Sequence, residues 1–342
     1  MRPCRGRPFA GGPLVAAALS LLLVLVAGCG SSGGSSAPIR QFANPVYAHN
    51  FPDPYVLKVG STYYAYSTNA DSQDIPSLRS HDLVHWTTGP DAFPAPPRWV
   101  ISDIWAPDVY HRPDGKYVLY YSGRDMQINH ECIGHAVSTS PTGPFIDRSS
   151  RAFICQAALG GDIDPAHFVD SDGRAYLVWK NDGNCCGVTT YLWSQRLSPD
   201  GITLEGKPVK LLSQDASWEG ALIEAPEMWK QAGKYYLFFS ANAYNSFNYA
   251  VGYATCKGPM GPCTDAPENP ILISRCTSAG PGGETIVSDG AGKTWMVYHA
   301  WKASAVDDPT VGRELWIDRL DWVNGKPVVR GPTCKRQPAP GT

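Results

Sequence analysis

Asp108-Val-Tyr-His-Arg-Pro-Asp-Gly-Lys-Tyr-Val-Leu-Tyr-Tyr-Ser122 reads as an extended segment, a tight Pro-Asp-Gly turn and a second extended segment. Four other stretches follow the same plan. They are Asp53-Pro-Tyr-Val-Leu-Lys-Val-Gly-Ser-Thr-Tyr-Tyr-Ala-Tyr-Ser67, Asp164-Pro-Ala-His-Phe through Trp179, Glu224-Ala-Pro-Glu-Met-Trp through Ser240, and Glu284-Thr-Ile-Val through His299. The turn glycines Gly60, Gly115, Gly173, Gly233 and Gly292 fall roughly 55–60 residues apart, a fixed period of the kind that marks propellers and arrays. Two more strand-like segments follow each hairpin, such as Tyr249-Ala-Val-Gly-Tyr-Ala-Thr255 and then the turn-rich Gly258-Pro-Met-Gly-Pro262. Four short strands per unit, bounded by Gly, Pro and Asp, predict an all-β, five-bladed β-propeller. A sandwich also uses many short strands but gives no reason for one phrase at one period. No stretch carries a long helical period with caps. A carboxylate opens every phrase, so Asp53, Asp108, Asp164, Glu224 and Glu284 are expected in one register, converging on the propeller axis.

The blades are expected over residues 44–330, with Gln41 to His49 supplying a closing strand and 331–342 forming a C-terminal tail. Residues 1–28 read as an export signal: Arg2, Arg5 and Arg7, then an apolar run from Pro13 to Ala27 that is short for a membrane span. Val26-Ala27-Gly28-Cys29 resembles a bacterial lipobox, which implies cleavage before Cys29 and its acylation. Residues 29–43, rich in Gly and Ser, would then be a flexible tether. An ordinary signal peptide or an uncleaved anchor are the alternatives, and all of them export the chain. The expected location is therefore extracytoplasmic, lipid-anchored or secreted.

Removing the leader arginines takes the formal net charge from −2 to −5. A mildly acidic chain excludes nucleic acid as a partner, because phosphate binding needs a basic surface. Setting aside Cys4 and Cys29 leaves eight cysteines, an even number that suggests disulfides in an exported protein. Cys256 and Cys263 flank a turn-rich stretch that could close a small loop, and Cys334 could pin the tail to Cys276. The other pairings stay open. No Cys-x-x-Cys spacing supports a zinc site.

The phrases Asn50-Phe-Pro-Asp-Pro-Tyr-Val56, Ile104-Trp-Ala-Pro-Asp-Val109, Asp162-Ile-Asp-Pro-Ala-His-Phe168, Trp218-Glu-Gly-Ala-Leu-Ile-Glu-Ala-Pro-Glu-Met228 and Gly312-Arg-Glu-Leu315 resemble those of the family 43 glycoside hydrolases. They occur in order, one per blade. That resemblance implies a five-bladed propeller cleaving arabinofuranosides, arabinans or β-xylosides. It implies that Asp53 is the general base, Glu224 the general acid, and Asp164 a third carboxylate that orients the acid and adjusts its pKa. The physical chemistry fits: inverting hydrolysis needs a base and an acid about 6.5–9.5 Å apart with a water between, and a nearby negative charge keeps an acid protonated. Ala225 stands where the family's acid motif has Gly, and Glu219 and Glu227 are rival acids. For Asp108 the resemblance implies a structural hydrogen bond. Trp105 is expected either to stack on a sugar or to pack between blades. Arg313 is expected to reach the sugar or to pair with Asp318 or Asp321. Gly283 replaces a family histidine, and His299 reads as a packed strand residue rather than a ligand.

The resulting expectation is an inverting enzyme acting on α-L-arabinofuranosyl linkages of an arabinose- or xylose-containing glycan, as a monomer. Its chemistry requires no cofactor, and a central Ca2+ held by oxygens is the one ion the channel suggests. A β-xylosidase or endo-arabinanase on the same fold is one alternative, and a non-catalytic glycan-binding propeller is another. A fructan hydrolase of the sister five-bladed family would need an Arg-Asp-Pro phrase, which is absent.

Overall fold

The structure, a computed structural model, describes residues 40–342; the expected signal peptide, Cys29 and most of the tether lie outside the described residues. Five antiparallel sheets follow one another along the chain, each beginning with its inner strand. Blade one comprises Tyr55–Val59, Thr62–Tyr66, Ser77–Ser80 and Thr87–Thr88. Blade three runs from Asp162–Val169 through Ala175–Asn181 and Tyr191–Leu197 to Leu204–Ser213. Blade four runs from Ile223–Gln231 through Lys234–Ala241 and Ala250–Cys256 to Cys263–Asp265, and blade five from Ser278–Ser288 through Thr294–Lys302 and Arg313–Val323 to Lys326–Val329. Blade two departs from the four-stranded expectation. Val100–His111, Tyr117–Asp125 and Glu131–Ser138 form a three-stranded sheet. The next segment forms no fourth ladder and pairs with it at isolated bridges, among them Ile133↔Ile154 and Val137↔Ile146. Pro141 and Pro144 lack the N–H groups a fourth ladder would need.

Both faces of each second strand are covered. In blade two, Tyr117, Leu119 and Tyr121 pack toward blade one, whereas Val118 and Tyr120 pack toward blade three. That is why these strands are nearly continuous apolar runs instead of alternating ones. Each of the five joints between blades has its own buried cluster. The ring closes between blades five and one. Gln41–Phe42 pairs with Gln337–Pro338, Val46 N–H donates to the Leu315 carbonyl, and the Asn44 side chain bonds both the N–H and the C=O of Ile317. Cysteine pairs form at Cys132–Cys155, Cys185–Cys186, Cys256–Cys263 and Cys276–Cys334. The last two are the pairs the sequence suggested.

The inner strands share a backbone device that the sequence does not display. Asp53, Ala106, Asp164, Ala225 and Gly283 all have left-handed φ, between 43° and 58°. Four of them precede proline (Pro54, Pro107, Pro165, Pro226) and the fifth precedes Glu284. In blades two to five the ladder skips this pair of residues: Trp105 pairs with Ser122 and Asp108 with Tyr120, Ile163 with Lys180 and Ala166 with Val178, Glu224 with Ser240 and Glu227 with Phe238, Gly282 with His299 and Thr285 with Val297. A left-handed residue followed by one that cannot extend the ladder makes a bulge. The bulges set the register and correct the expected one. Asp53 and Asp164 occupy the bulge itself. Glu224 lies one residue before it, Glu284 one after, and Asp108 two after. The five acids converge on the axis at different depths.

Candidate active site

A ring of side chains holds the bulges in place. Each left-handed residue points its N–H at the preceding blade. The Ala106 N–H donates to Thr68 Oγ1 at 2.9 Å, Asp164 to Ser122 Oγ at 3.2 Å, and Gly283 to Ser240 Oγ at 3.0 Å. Asp53 N–H donates to His299 Nδ1 at 3.1 Å. The acceptors Ser122, Ser240 and His299 sit at one register position of the second strands. In blade three that position holds Lys180, whose ammonium cannot accept a hydrogen bond. The Ala225 N–H turns instead to Asp164 Oδ2 at 2.9 Å.

At the joint of blades three and four, Lys180 is freed for another task. It is fully buried and donates to Glu224 Oε2 at 2.9 Å, while Tyr249 OH donates to Glu224 Oε1 at 2.8 Å. Burial opposes the Lys180 charge, but Glu224, Asp164 and Asp182 together hold its pKa above the ordinary lysine value. Asp164 is pushed up from the usual carboxylate range, first by burial and then by the charge of Glu224; Lys180 and the Ala225 N–H oppose the shift. Asp164 therefore keeps its proton to higher pH than an isolated aspartate would.

At the joint of blades five and one the balance reverses. Burial again favours the neutral acid, but Arg313, His299 and Thr68 outweigh it and hold Asp53 well below the usual range. Arg313 Nη1 lies 2.9 Å from Asp53 Oδ1, and Thr68 Oγ1 donates to Oδ2 at 2.6 Å. Of the two roles expected of Arg313, the pairing with Asp318 or Asp321 is therefore not the one seen; Arg319 and Arg330 take Asp321. His299 is fully buried, which lowers its pKa and keeps the ring neutral. Its role exceeds that of a packed residue, since it holds the Asp53 backbone and stacks 5.8 Å from Tyr249, the partner of Glu224. Gly283 has to be glycine: a Cβ there would stand 2.7 Å from His299 Nδ1 and 2.9 Å from Asp53 Oδ1.

Below these groups lies a small axial cavity of about 40 Å³, lined by Asp53, Asp108, Asp164, Glu227 and Glu284 among others. Asp108 pairs with His167 Nδ1 at 2.6 Å, in keeping with a structural role. Glu284 accepts from Ser240 and is pushed up to about 8, chiefly by burial. Asp108 Oδ2 and Glu284 Oε1 are buried without protein partners, so the oxygens on offer suit a hard cation. Glu227, the rival acid, is fully enclosed at this depth and pushed well up by burial. Glu219, the other rival, lies outside the channel in a single 3₁₀ turn. Trp105 is half-buried in blade two at the register position that Glu224 holds in blade four.

Sequence reasoning missed Lys180, Tyr249 and Thr68. The signal for Lys180 was available. Late in the second strand an aromatic residue is followed by Ser122 and Ser240 in two blades but by Lys180 and His299 in two others. Tyr249 opens no repeated phrase and carried no such mark.

Hydrolysis of a glycosidic bond uses two carboxyl groups in opposite protonation states, and the class this fold and site define is a glycoside hydrolase. The profile of "Glycosyl hydrolases family 43" matches residues 42–327, and the chain belongs to that family. The extracellular endo-alpha-(1->5)-L-arabinanase 1 of Bacillus subtilis (strain 168) is 28% identical over 80% of this chain and 86% of its own length. A xylosidase/arabinosidase of Butyrivibrio fibrisolvens is 26% identical over 84% of this chain and 56% of its own length. Among solved structures, a thermostable family-43 glycoside hydrolase has a TM-score of 0.79 at 32% identity, covering 88% of this chain and 99% of the other.

Proposed function

We propose that this chain hydrolyses α-L-arabinofuranosyl linkages of arabinose-containing polysaccharides or oligosaccharides with inversion. The observation that carries the reading is the divergence of Asp53 and Asp164, two aspartates at one backbone position driven to opposite protonation. Such divergence separates the roles of base and acid. Asp53, kept ionised by Arg313, takes a proton from water as that water's oxygen bonds the anomeric carbon. The bond to the leaving oxygen breaks as Glu224 delivers a proton to it. Asp164 also fixes the bulge that follows the acid, through the Ala225 N–H. The names of the relatives favour arabinose over other sugars, while the xylosidase/arabinosidase keeps β-xylosides as the second reading.

A Ca2+ in the axial cavity would be held by Asp108, Glu284 and their neighbours, supplying positive charge beneath the carboxylates. The four disulfides support an extracytoplasmic location, and the Cys29 motif supports a lipid anchor. Changing Cys29 to Ser should release the chain from membranes.

The test is a screen of chromogenic arabinofuranosides and xylosides, with proton NMR of the first-formed sugar. The inverted arabinose anomer is expected. A retained anomer overturns the mechanism. Oligosaccharide binding without turnover would put a glycan-binding module in its place.

A further inference from the structure

The connection from blade three to blade four, residues 214–222, carries a second group of acids remote in sequence from the phrases at the axis. Asp215, Glu219 and Asp265 each place a carboxylate oxygen within 4.8 Å of the others. Asp215 is exposed, Glu219 fully buried, and Asp265 half-buried on the short outer strand of blade four.

Glu219 is the informative member. Its Oε2 accepts the N–H groups of Asp215 and Ala216 at 2.7 and 2.9 Å. Its Oε1 is buried beside the other two carboxylates with no protein partner. Both oxygens of Asp265 are likewise shielded and unpartnered. No lysine or arginine among the described residues forms an ion pair with any of the three. Buried charge is costly unless it is paired or coordinates a metal. Glu224, Asp53 and Glu131 each face a cation, Lys180, Arg313 or Arg124. This group faces none, and a cation from solution would fill that place.

We propose that Asp215, Glu219 and Asp265 bind a hard divalent cation, with Ca2+ the best match, that pins blade three to blade four. The donor set is all oxygen, which suits Ca2+ and disfavours zinc or copper. Water can reach the site past exposed Asp215 and complete a shell of about 6–8 oxygens. The scaffold on either side is fixed. Cys256–Cys263 tethers the strand bearing Asp265, and Asn242 clamps the connection by bonding the carbonyls of Trp218, Glu219 and Leu222. The connection leads straight into Ile223 and Glu224, so the ion would stiffen the segment that delivers Glu224 to the channel. The site does not depend on the glycosidase reading.

The purified chain, stripped of metal with a chelator, should be titrated with CaCl2 while its Tm is followed. Ca2+ at about a hundredfold over Kd should raise Tm by roughly 5 °C for a domain of this size. Terbium should give luminescence sensitised by Trp218, and Ca2+ should displace it. Both titrations are run on Glu284→Gln, which removes the axial cavity's contribution, and that chain should keep both responses. Adding Glu219→Gln or Asp215→Asn to it should abolish both; the second, at an exposed position, guards against a folding failure of the first. No Ca2+ response in the Glu284→Gln chain overturns the proposal, as does a response that survives both added substitutions.

Discussion

Asp53 and Asp164 stand at the same bulge in blades one and three, with φ of 48° and 56° and a proline after each. Local backbone and residue type are identical, yet one carboxyl is driven down and the other up. The difference comes from the neighbouring strands. Blade five offers Asp53 a cation, Arg313, and a neutral histidine. Blade four offers Asp164 another carboxylate, and the nearby cation, Lys180, spends its hydrogen bond on that carboxylate instead. Protonation here is set by the joints between blades, not by the motif. Each expected outcome below either breaks that contrast or sharpens it.

The largest effect is expected from removing either end of the proton path. Asp53→Asn should lower kcat by ~10²–10⁴ on every substrate, because water activation does not depend on the leaving group. Glu224→Gln should lose as much on natural glycosides yet stay largely active on aryl glycosides whose leaving group departs without a proton. Steady-state rates on the two substrate kinds decide it; equal losses in Glu224→Gln would remove it as the acid.

The next changes move pH limbs. Arg313→Met removes the main attraction that holds Asp53 ionised, so the acidic limb of kcat/KM should move up by ~1–3 pH units. Asp164→Asn removes a negative charge beside the proposed acid, so the alkaline limb should move to lower pH. The two variants shift opposite limbs in opposite directions. A shift of the same limb in both would show that the carboxylates form one coupled cluster.

Smaller changes are expected in stability. Thr68 ties the Asp53 side of the contrast to blade two, accepting from Ala106 N–H and donating to Asp53. Thr68→Val leaves that N–H unsatisfied and should cost about 1–3 kcal/mol in urea unfolding. The pH dependence of unfolding should also separate the aspartates. A depressed acid such as Asp53 adds stability that is present above its unfolded pKa and fades as pH falls toward the folded one. A raised acid such as Asp164 does the reverse, costing stability as pH climbs from its unfolded toward its folded value. Unfolding curves across the acidic range should therefore fall less steeply for Asp53→Asn, whereas Asp164→Asn should gain on the neutral side.

The architecture was legible because five phrases with a common turn glycine leave little room for another all-β fold. The depth of each acid was not. Asp-Pro in blades one and three and Ala-Pro-Asp in blade two look alike as strand openers, and only the backbone shows that the residue before proline defines the register. Asp53, Asp164 and Glu224 were legible as a set, through resemblance and repetition. Lys180 hid inside a buried apolar run, where a cation makes sense only once Glu224 and Asp182 are placed around it. His299 hid for a similar reason: nothing local to Tyr298-His299 announces a partner 246 residues upstream.

That separation has a temporal meaning. Glu224 and its lysine are 44 residues apart, on successive blades, and can meet while the chain is still growing. Asp53 must wait for His299 and Arg313, 246 and 260 residues later, and contacts that distant in sequence form late and slowly. Asp53, the proposed base, is thus the last part of the machinery to be assembled, and its charge reports that the circle is shut. A chain arrested before blade five would hold Glu224 against Lys180 and Tyr249 yet leave Asp53 without Arg313 and His299, so on the proposed mechanism a hydrolase of this build stays silent until it has folded from end to end.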